Sequence, residues 1–458
     1  MADSFSLPEI LKTRRQRLAE RVDFPAILWS GQANPRNFPA NRYPFRANSH
    51  FLYFAGLPLE QAAIRLEAGR MELFMDEPGA DSALWHGETP TRGAIADRIG
   101  ADAAYPMAQL KTKVEGTATI PVQDGATRSL QSQLLQRDVT SARSLKGRDL
   151  ELARAIVALR LTQDEAALAE IRQAVAVTVD AHKAGIAATP TAKTEAEVRA
   201  AIEGVMIAHN MTPAYSSIVT VHGEVLHNEQ YHHFLQSGDL LLVDAGAETP
   251  SGWAADVTRT WAVSGKFSPS QRAIYQVVLA AHDACIAAIR QGVEYRDIHL
   301  LGAETIAAGL VDLDILEGDP QELVEQDAHA LFFPHGIGHL LGLDVHDMED
   351  LGDLAGYAEE RTRSDRFGLG YLRLNRPLQP GMVVTIEPGF YQVPALLNDP
   401  QRRARYGSVV NWDRLAEFAD VRGIRIEDDV LVTETGTEVL TAALPTSLEA
   451  MEQSGNYL

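Results

Sequence analysis

Four carboxylates in the second half of this chain adjoin or interrupt apolar, strand-like runs, and no other feature restricts the fold as strongly. Leu240-Leu241-Leu242-Val243 runs into Asp244, and Asp256 stands directly before Val257-Thr258-Arg259-Thr260-Trp261. Met382-Val383-Val384-Thr385-Ile386 runs into Glu387, and Glu427 sits inside Gly423-Ile424-Arg425-Ile426-Glu427-Asp428-Asp429. A carboxylate at the buried end of a strand is costly unless it is paired, hydrogen-bonded or bound to a cation. One such residue is usually a turn or a cap; four of them call for a shared partner.

Between these strands lies Phe333–Asp347, in which His335, His339 and His346 are set among glycines. His335 and His339 are four apart, yet Gly336 and Gly338 rule out the helix of an H-E-x-x-H zinc site. Four carboxylates with one imidazole suit a pair of divalent ions, held roughly 3.5–4 Å apart by bridging and terminal ligands. Oxygen-rich ligation favours Mn²⁺, with Zn²⁺ or Co²⁺ compatible.

The 458 residues exceed one ordinary core, so two domains are expected, 1–150 and 151–458. The first reads as α/β: a helix over 8–22, strand-like pieces at Ala26–Trp29, Phe51–Phe54, Ala62–Leu66 and Met71–Met75, and a polar linker over 123–147. In the second, a helix is expected over Arg154–Ala174, and Thr194-Glu195-Ala196-Glu197 reads as a capping box opening another. Ser268-Pro269 opens a helix to about Arg290, and a further one covers Asp297–Gly309. Strands are expected at Ser217–Val221, Leu240–Val243, Thr258–Val263, Val383–Glu387 and Ile424–Thr433. Helices and strands come in blocks, which favours α+β over a doubly wound sheet. Two long charged inserts, 348–377 and 392–421, read as irregular loops.

A formal charge of −21 argues against nucleic acid or an anionic membrane as partner. The single cysteine, Cys285, excludes a disulfide framework and reads as a core thiol. No secretory signal or membrane span is legible, so a cytoplasmic protein is expected.

The ordered motifs VDAG (243–246), Asp-x-Thr-Arg-Thr (256–260), HGIGHLLGLDVHD (335–347), TIEPG (385–389) and GIRIEDD (423–429) resemble the pita-bread metallopeptidases, the family of methionine aminopeptidase, aminopeptidase P and prolidase. The resemblance covers about residues 155–445 and implies an α+β pita-bread catalytic domain behind a smaller α/β domain. It implies that Asp244 holds one metal, His339 and Glu387 the other, and that Asp256 and Glu427 bridge. Glu387 would also shuttle the proton. His227, His335 and His346 would lie on the substrate side as catalytic histidines, with His227 and His346 contacting the peptide, and Arg425 would orient ligands. The interval from Asp244 to Asp256 is one residue longer than the family pattern, a length that a turn at Thr249-Pro250-Ser251-Gly252 absorbs.

Tyr43–Gly56 and Ala83–Gly87 resemble the N-terminal domain of aminopeptidase P and prolidase, which implies cleavage of Xaa-Pro bonds in proline-containing di- or oligopeptides. By the same resemblance the protein would be a homodimer, and Trp85 would reach a neighbouring subunit's site. Tyr371–Met382 resembles prolidases, with Arg373 where a dipeptide's carboxylate is bound. The reading therefore leans to prolidase (Xaa-Pro dipeptidase), with aminopeptidase P as the alternative. A non-catalytic pita-bread binding module is a remote third, disfavoured by the intact ligand set.

Overall fold

The computed structural model describes residues 6–79 and 81–454, and the first five residues of the stretch read for a signal lie outside them. The chain forms two compact units, residues up to 161 with 348–355, and residues 162–347 with 356 onward.

The first unit is built on a five-stranded mixed sheet. Its order is Ala103–Tyr105, Arg70–Phe74, Ala63–Glu67, Ala26–Trp29 and Ala118–Thr119. Ala68 and Gly69, both at positive φ, make the tight turn that pairs Glu67 with Arg70 in the central hairpin. Phe51–Phe54, expected as a strand, is part of the helix Ser49–Ala55. Asn48 caps that helix by accepting from His50 and Phe51 N–H, and left-handed Gly56 ends it. The expected linker contains the helix Gly125–Leu135. Its few apolar residues hid it, because its buried face carries polar Gln131, which accepts from Val122 N and donates to the Ile120 carbonyl.

In the second unit every strand pairing is antiparallel, as an α+β domain requires. One sheet orders Thr258–Ala262, Leu240–Asp244 and Ile218–Thr220; another orders Val383–Ile386, Asp428–Val432 and Thr437–Val439. Gly389–Tyr391 and Gly423–Arg425 form a further pair. The helices Glu165–Ala188, Glu195–Ala208, Pro269–Ala288 and Tyr295–Asp312 supply the apolar faces that bury these strands. Cys285 is buried, and Ser268 caps its helix as expected.

Several local expectations change, among them the strand over Ile424–Thr433, which is divided into Gly423–Arg425 and Asp428–Val432. The run expected as one helix over Arg154–Ala174 is split between Gly147–Arg160 and Glu165–Ala188, because Asp164 caps the second by accepting from Ala167 N–H. The capping box at Thr194 does not form: Glu197 accepts from Lys193 N, and Glu195 turns inward. The insert 392–421 is not irregular but holds three short helices, Pro394–Leu397, Pro400–Arg405 and Trp412–Ala416. It is closed at its base by Gln392 Nε2 donating to the Phe418 and Val421 carbonyls. Among the described residues no helix is long and apolar enough to cross a membrane.

Candidate active site

Two interruptions in the antiparallel ladders create the site. The first hairpin pairs Asp244 with Thr258 at the end of its register. The chain then turns through 249–252, with Gly252 N–H donating to the Thr249 carbonyl, and returns with Asp256 just short of the ladder. The second hairpin pairs Ile386 with Asp428 and resumes at Gly389 with Arg425. Glu387-Pro388 on one strand and Ile426-Glu427 on the other are left out. Pro388 has no N–H to continue the ladder, so the break is written in the sequence. Glu427 N–H donates instead to the Thr258 carbonyl at 3.0 Å, which ties the second hairpin to the first. His339 comes from the glycine-rich segment, which pairs along the same strand: His339 N–H donates to Thr385 Oγ1, and Thr385 N–H donates to the His339 carbonyl. Gly338, at φ +156°, permits this approach, since a Cβ there would overlap the Thr385 carbonyl.

Asp244, Asp256, His339 and Glu427 are buried, and Glu387 is mostly so. Three overlapping groups of ligand atoms each lie within 4.8 Å: Asp244, Asp256 and Glu427; His339, Glu387 and Glu427; Asp256, His339 and His346. Asp256, His339 and Glu427 each recur in two groups, so the three groups form one continuous cluster. The His339 ring donates from Nδ1 to the Leu340 carbonyl, leaving Nε2 as the free donor atom, 3.3 Å from Asp256 Oδ2 and 3.7 Å from Glu387 Oε1. Crowded carboxylates without a cation repel. Burial, then Asp244, push Asp256 up to about 8; burial raises Glu387 to about 7; burial and then Asp256 hold Glu427 well above its usual range. Those groups keep protons unless cations replace them, so the donor set fits divalent metal.

Arg425 lies behind the cluster. It donates to Asp244 Oδ2 at 2.6 Å, to Thr258 Oγ1 at 3.0 Å and to Tyr391 Oη at 3.0 Å, and Thr258 in turn donates to Glu427 Oε2 at 2.6 Å. Tyr215 Oη stands 2.5 Å from both Asp244 Oδ1 and Asp256 Oδ1. Burial and these carboxylates raise the Tyr215 phenol well above its usual range, so it remains a donor. Asp429, fully buried, accepts from Asp256 N–H at 3.2 Å. Tyr215, Tyr391, Thr258 and Asp429 went unread in the sequence, where a lone tyrosine or threonine beside a strand looks like core. Only the second acid of Asp428-Asp429 gave a signal.

The remaining expected residues lie around this cluster. His335 donates from Nδ1 to the Gly336 carbonyl and accepts at Nε2 from the Tyr391 hydroxyl. Burial and Arg425 hold it down to about 3, hence neutral. The His346 ring stands 4.2 Å from that of His339 and shares a candidate ligand group with it and Asp256, a position nearer the carboxylate cluster than the sequence suggested. His227 is exposed, and partial desolvation followed by Arg425 lowers it. Gly336 packs on the backbone of Leu372, which puts half-buried Arg373 next to the histidine segment. His282, His299 and His329 are all buried. In the first unit, Trp85 lies on the short helix Ser82–His86 and is 75% exposed.

Comparison with known proteins gives the family. The model of Metallopeptidase family M24 matches residues 169–434, and that of the aminopeptidase P N-terminal domain matches residues 11–120. A probable Xaa-Pro aminopeptidase of Sordaria macrospora is 31% identical over 90% of this chain and 86% of its own length. Among solved structures, Pseudomonas aeruginosa aminopeptidase PepP superposes with a TM-score of 0.81 at 28% identity, covering 99% of this chain and 98% of that one. Aminopeptidase P from E. coli with the inhibitor Pro-Leu gives 0.79 at 27% identity, covering 99% of both chains.

Proposed function

The chain belongs to metallopeptidase family M24, with the pita-bread fold of that family and an aminopeptidase P N-terminal domain, and on that premise we propose that it is an Xaa-Pro aminopeptidase. It removes the residue preceding proline from the N-terminus of peptides longer than two residues. The observation that carries this reading is the likeness to Xaa-Pro aminopeptidases along both units, 31% identity over 90% of the chain, and not over the catalytic part alone. The relatives and solved structures matched over that length are Xaa-Pro aminopeptidases, and this favours aminopeptidase P over the dipeptidase to which the prolidase-like stretch at Arg373 leans.

The proposed centre takes two divalent ions, with Mn²⁺ best suited to four carboxylates and one imidazole. Asp244, Asp256, His339, Glu387 and Glu427 are the residues that would hold them. Such ions, when bound, polarise a peptide carbonyl and acidify a shared water. The chain's own residues do the rest. Arg425 fixes Asp244, and Thr258 fixes Glu427, so the carboxylates are preorganised. Glu387, beside His339 and 3.8 Å from His335 Nδ1, takes the proton of the attacking water and returns it to the proline nitrogen as the bond breaks. His227 and His346 face the peptide and stabilise its developing oxyanion. The remaining functional expectations, a homodimer in the cytoplasm, are carried by the same proposal.

The choice of substrate is decided by turnover of Ala-Pro-Ala and Ala-Pro by the Mn²⁺-loaded protein. We expect kcat/KM for the tripeptide to exceed that for the dipeptide by at least about tenfold, a difference of about 1.4 kcal/mol. Arg373→Ala should leave tripeptide turnover within about threefold. Preferred cleavage of Ala-Pro, lost in Arg373→Ala, would restore the dipeptidase reading.

A further inference from the structure

One buried carboxylate lies outside the ligand cluster and organises the loop that carries His227. Glu195 opens the helix Glu195–Ala208, where a glutamate ordinarily faces solvent, yet it is fully buried. Burial of a carboxylate is tolerated only with a full set of donors, and here four are present. Oε1 accepts from Val221 N–H at 2.9 Å and from Thr220 Oγ1 at 3.1 Å. Oε2 accepts from His233 N–H at 3.2 Å and from His233 Nδ1 at 2.9 Å. Val221 and His233 are the two stems of the loop over residues 221–234. The helix start reciprocates, with Glu195 N–H donating to the His233 carbonyl and Ala196 N–H to the Tyr231 carbonyl.

Inside the loop, Asn228 is buried and donates from Nδ2 to Thr220 Oγ1 at 2.9 Å. The residue next to His227 is thereby tied to the same hydroxyl that donates to Glu195. Asn228 points in and His227 points out. We propose that Glu195 is a positioning residue for the substrate: it clamps both stems of the loop and so sets where the His227 imidazole stands. The inference rests on the reading of His227 as a substrate-side histidine.

Glu195→Gln keeps the shape and replaces one acceptor oxygen by an N–H donor, so one stem meets a donor instead of an acceptor. In the full Mn²⁺-loaded chain, kcat/KM for Ala-Pro-Ala is measured for wild type, Glu195→Gln, His227→Ala and the double variant. The expected loss from Glu195→Gln is about tenfold alone and less than about twofold on top of His227→Ala, because the two act as one unit. Amide exchange should accelerate in residues 221–234 and not in the strands that carry the metal ligands. If the two losses multiply, or exchange in the loop is unchanged, the clamp is overturned. If His227→Ala by itself leaves kcat/KM intact, the reading of His227 falls, and the clamp with it. Should Glu195→Gln fail to fold, His233→Ala removes only the imidazole arm at a part-exposed position. It is expected to cost about threefold alone and nothing further on top of His227→Ala; multiplied losses there overturn the clamp equally.

Discussion

At the scale of single residues, the site is a problem of charge. Burial comes first in raising Asp256, Glu387 and Glu427, and neighbouring carboxylates add to it: Asp244 for Asp256, Asp256 and Asp244 for Glu387, and Asp256, Glu387 and Asp244 for Glu427. Asp256 at about 8 and Glu387 at about 7 lie above the ordinary carboxylate range of about 4. A carboxylate raised in the folded state binds more protons folded than unfolded. It adds nothing below about pH 4 and destabilises increasingly as pH climbs toward the folded value. The metal-free protein should therefore lose thermal stability between about pH 5 and 8, and saturating Mn²⁺ should abolish that loss. Melting temperatures at the two pH values, with and without Mn²⁺, check this; a metal-free protein equally stable at both would contradict it. Residues of this kind were legible in the sequence because four carboxylates beside apolar runs, unlike a single one, have no quiet explanation as turns or caps. Tyr215 and Tyr391 were not, since a phenol that bonds a carboxylate reads the same as one that packs.

At the scale of elements, the site exists because two hairpins stop pairing at the same level. Pro388 forces the break on one strand, and Glu427 N–H leaves its own ladder to join the neighbouring hairpin. The sequence suggested one long strand over Ile424–Thr433, because apolar periodicity continues through the break. The structure divides it into Gly423–Arg425 and Asp428–Val432 around Glu427. Behind the break, Arg259 donates to the Glu427 carbonyl at 2.6 Å and pairs with Asp428 at 2.7 Å, with both partners buried. Gly338 closes the third side by lying against Thr385. Gly338→Ala should push the histidine segment off that strand, at a cost of about 2–3 kcal/mol of stability, and weaken metal binding. Chemical denaturation together with a Mn²⁺ titration measures both; an alanine variant with wild-type metal affinity would mean that close pairing does not place His339. The helix Gly125–Leu135 shows the opposite failure of sequence reading, a real element hidden because its buried contacts are polar.

At the scale of the whole molecule, the chain is two units built by different rules. The first is a mixed sheet whose parallel edge strands come from crossovers; the second pairs its named strands antiparallel and carries the candidate site. The motif order in the second unit was legible enough to give its fold and its chemistry, and the family match over residues 169–434 agrees. Substrate length was not legible, because it depends on which groups line the peptide beyond proline, and a single cation such as Arg373 serves either reading. The central claim is that Asp244, Asp256, His339, Glu387 and Glu427 together hold two divalent ions. The most direct test is calorimetric titration of the metal-free chain with Mn²⁺. About two ions are expected per wild-type chain and about one or fewer for His339→Ala; a wild-type chain that takes up no ion, or a His339→Ala variant that still takes up two with unchanged affinity, would overturn the two-ion site.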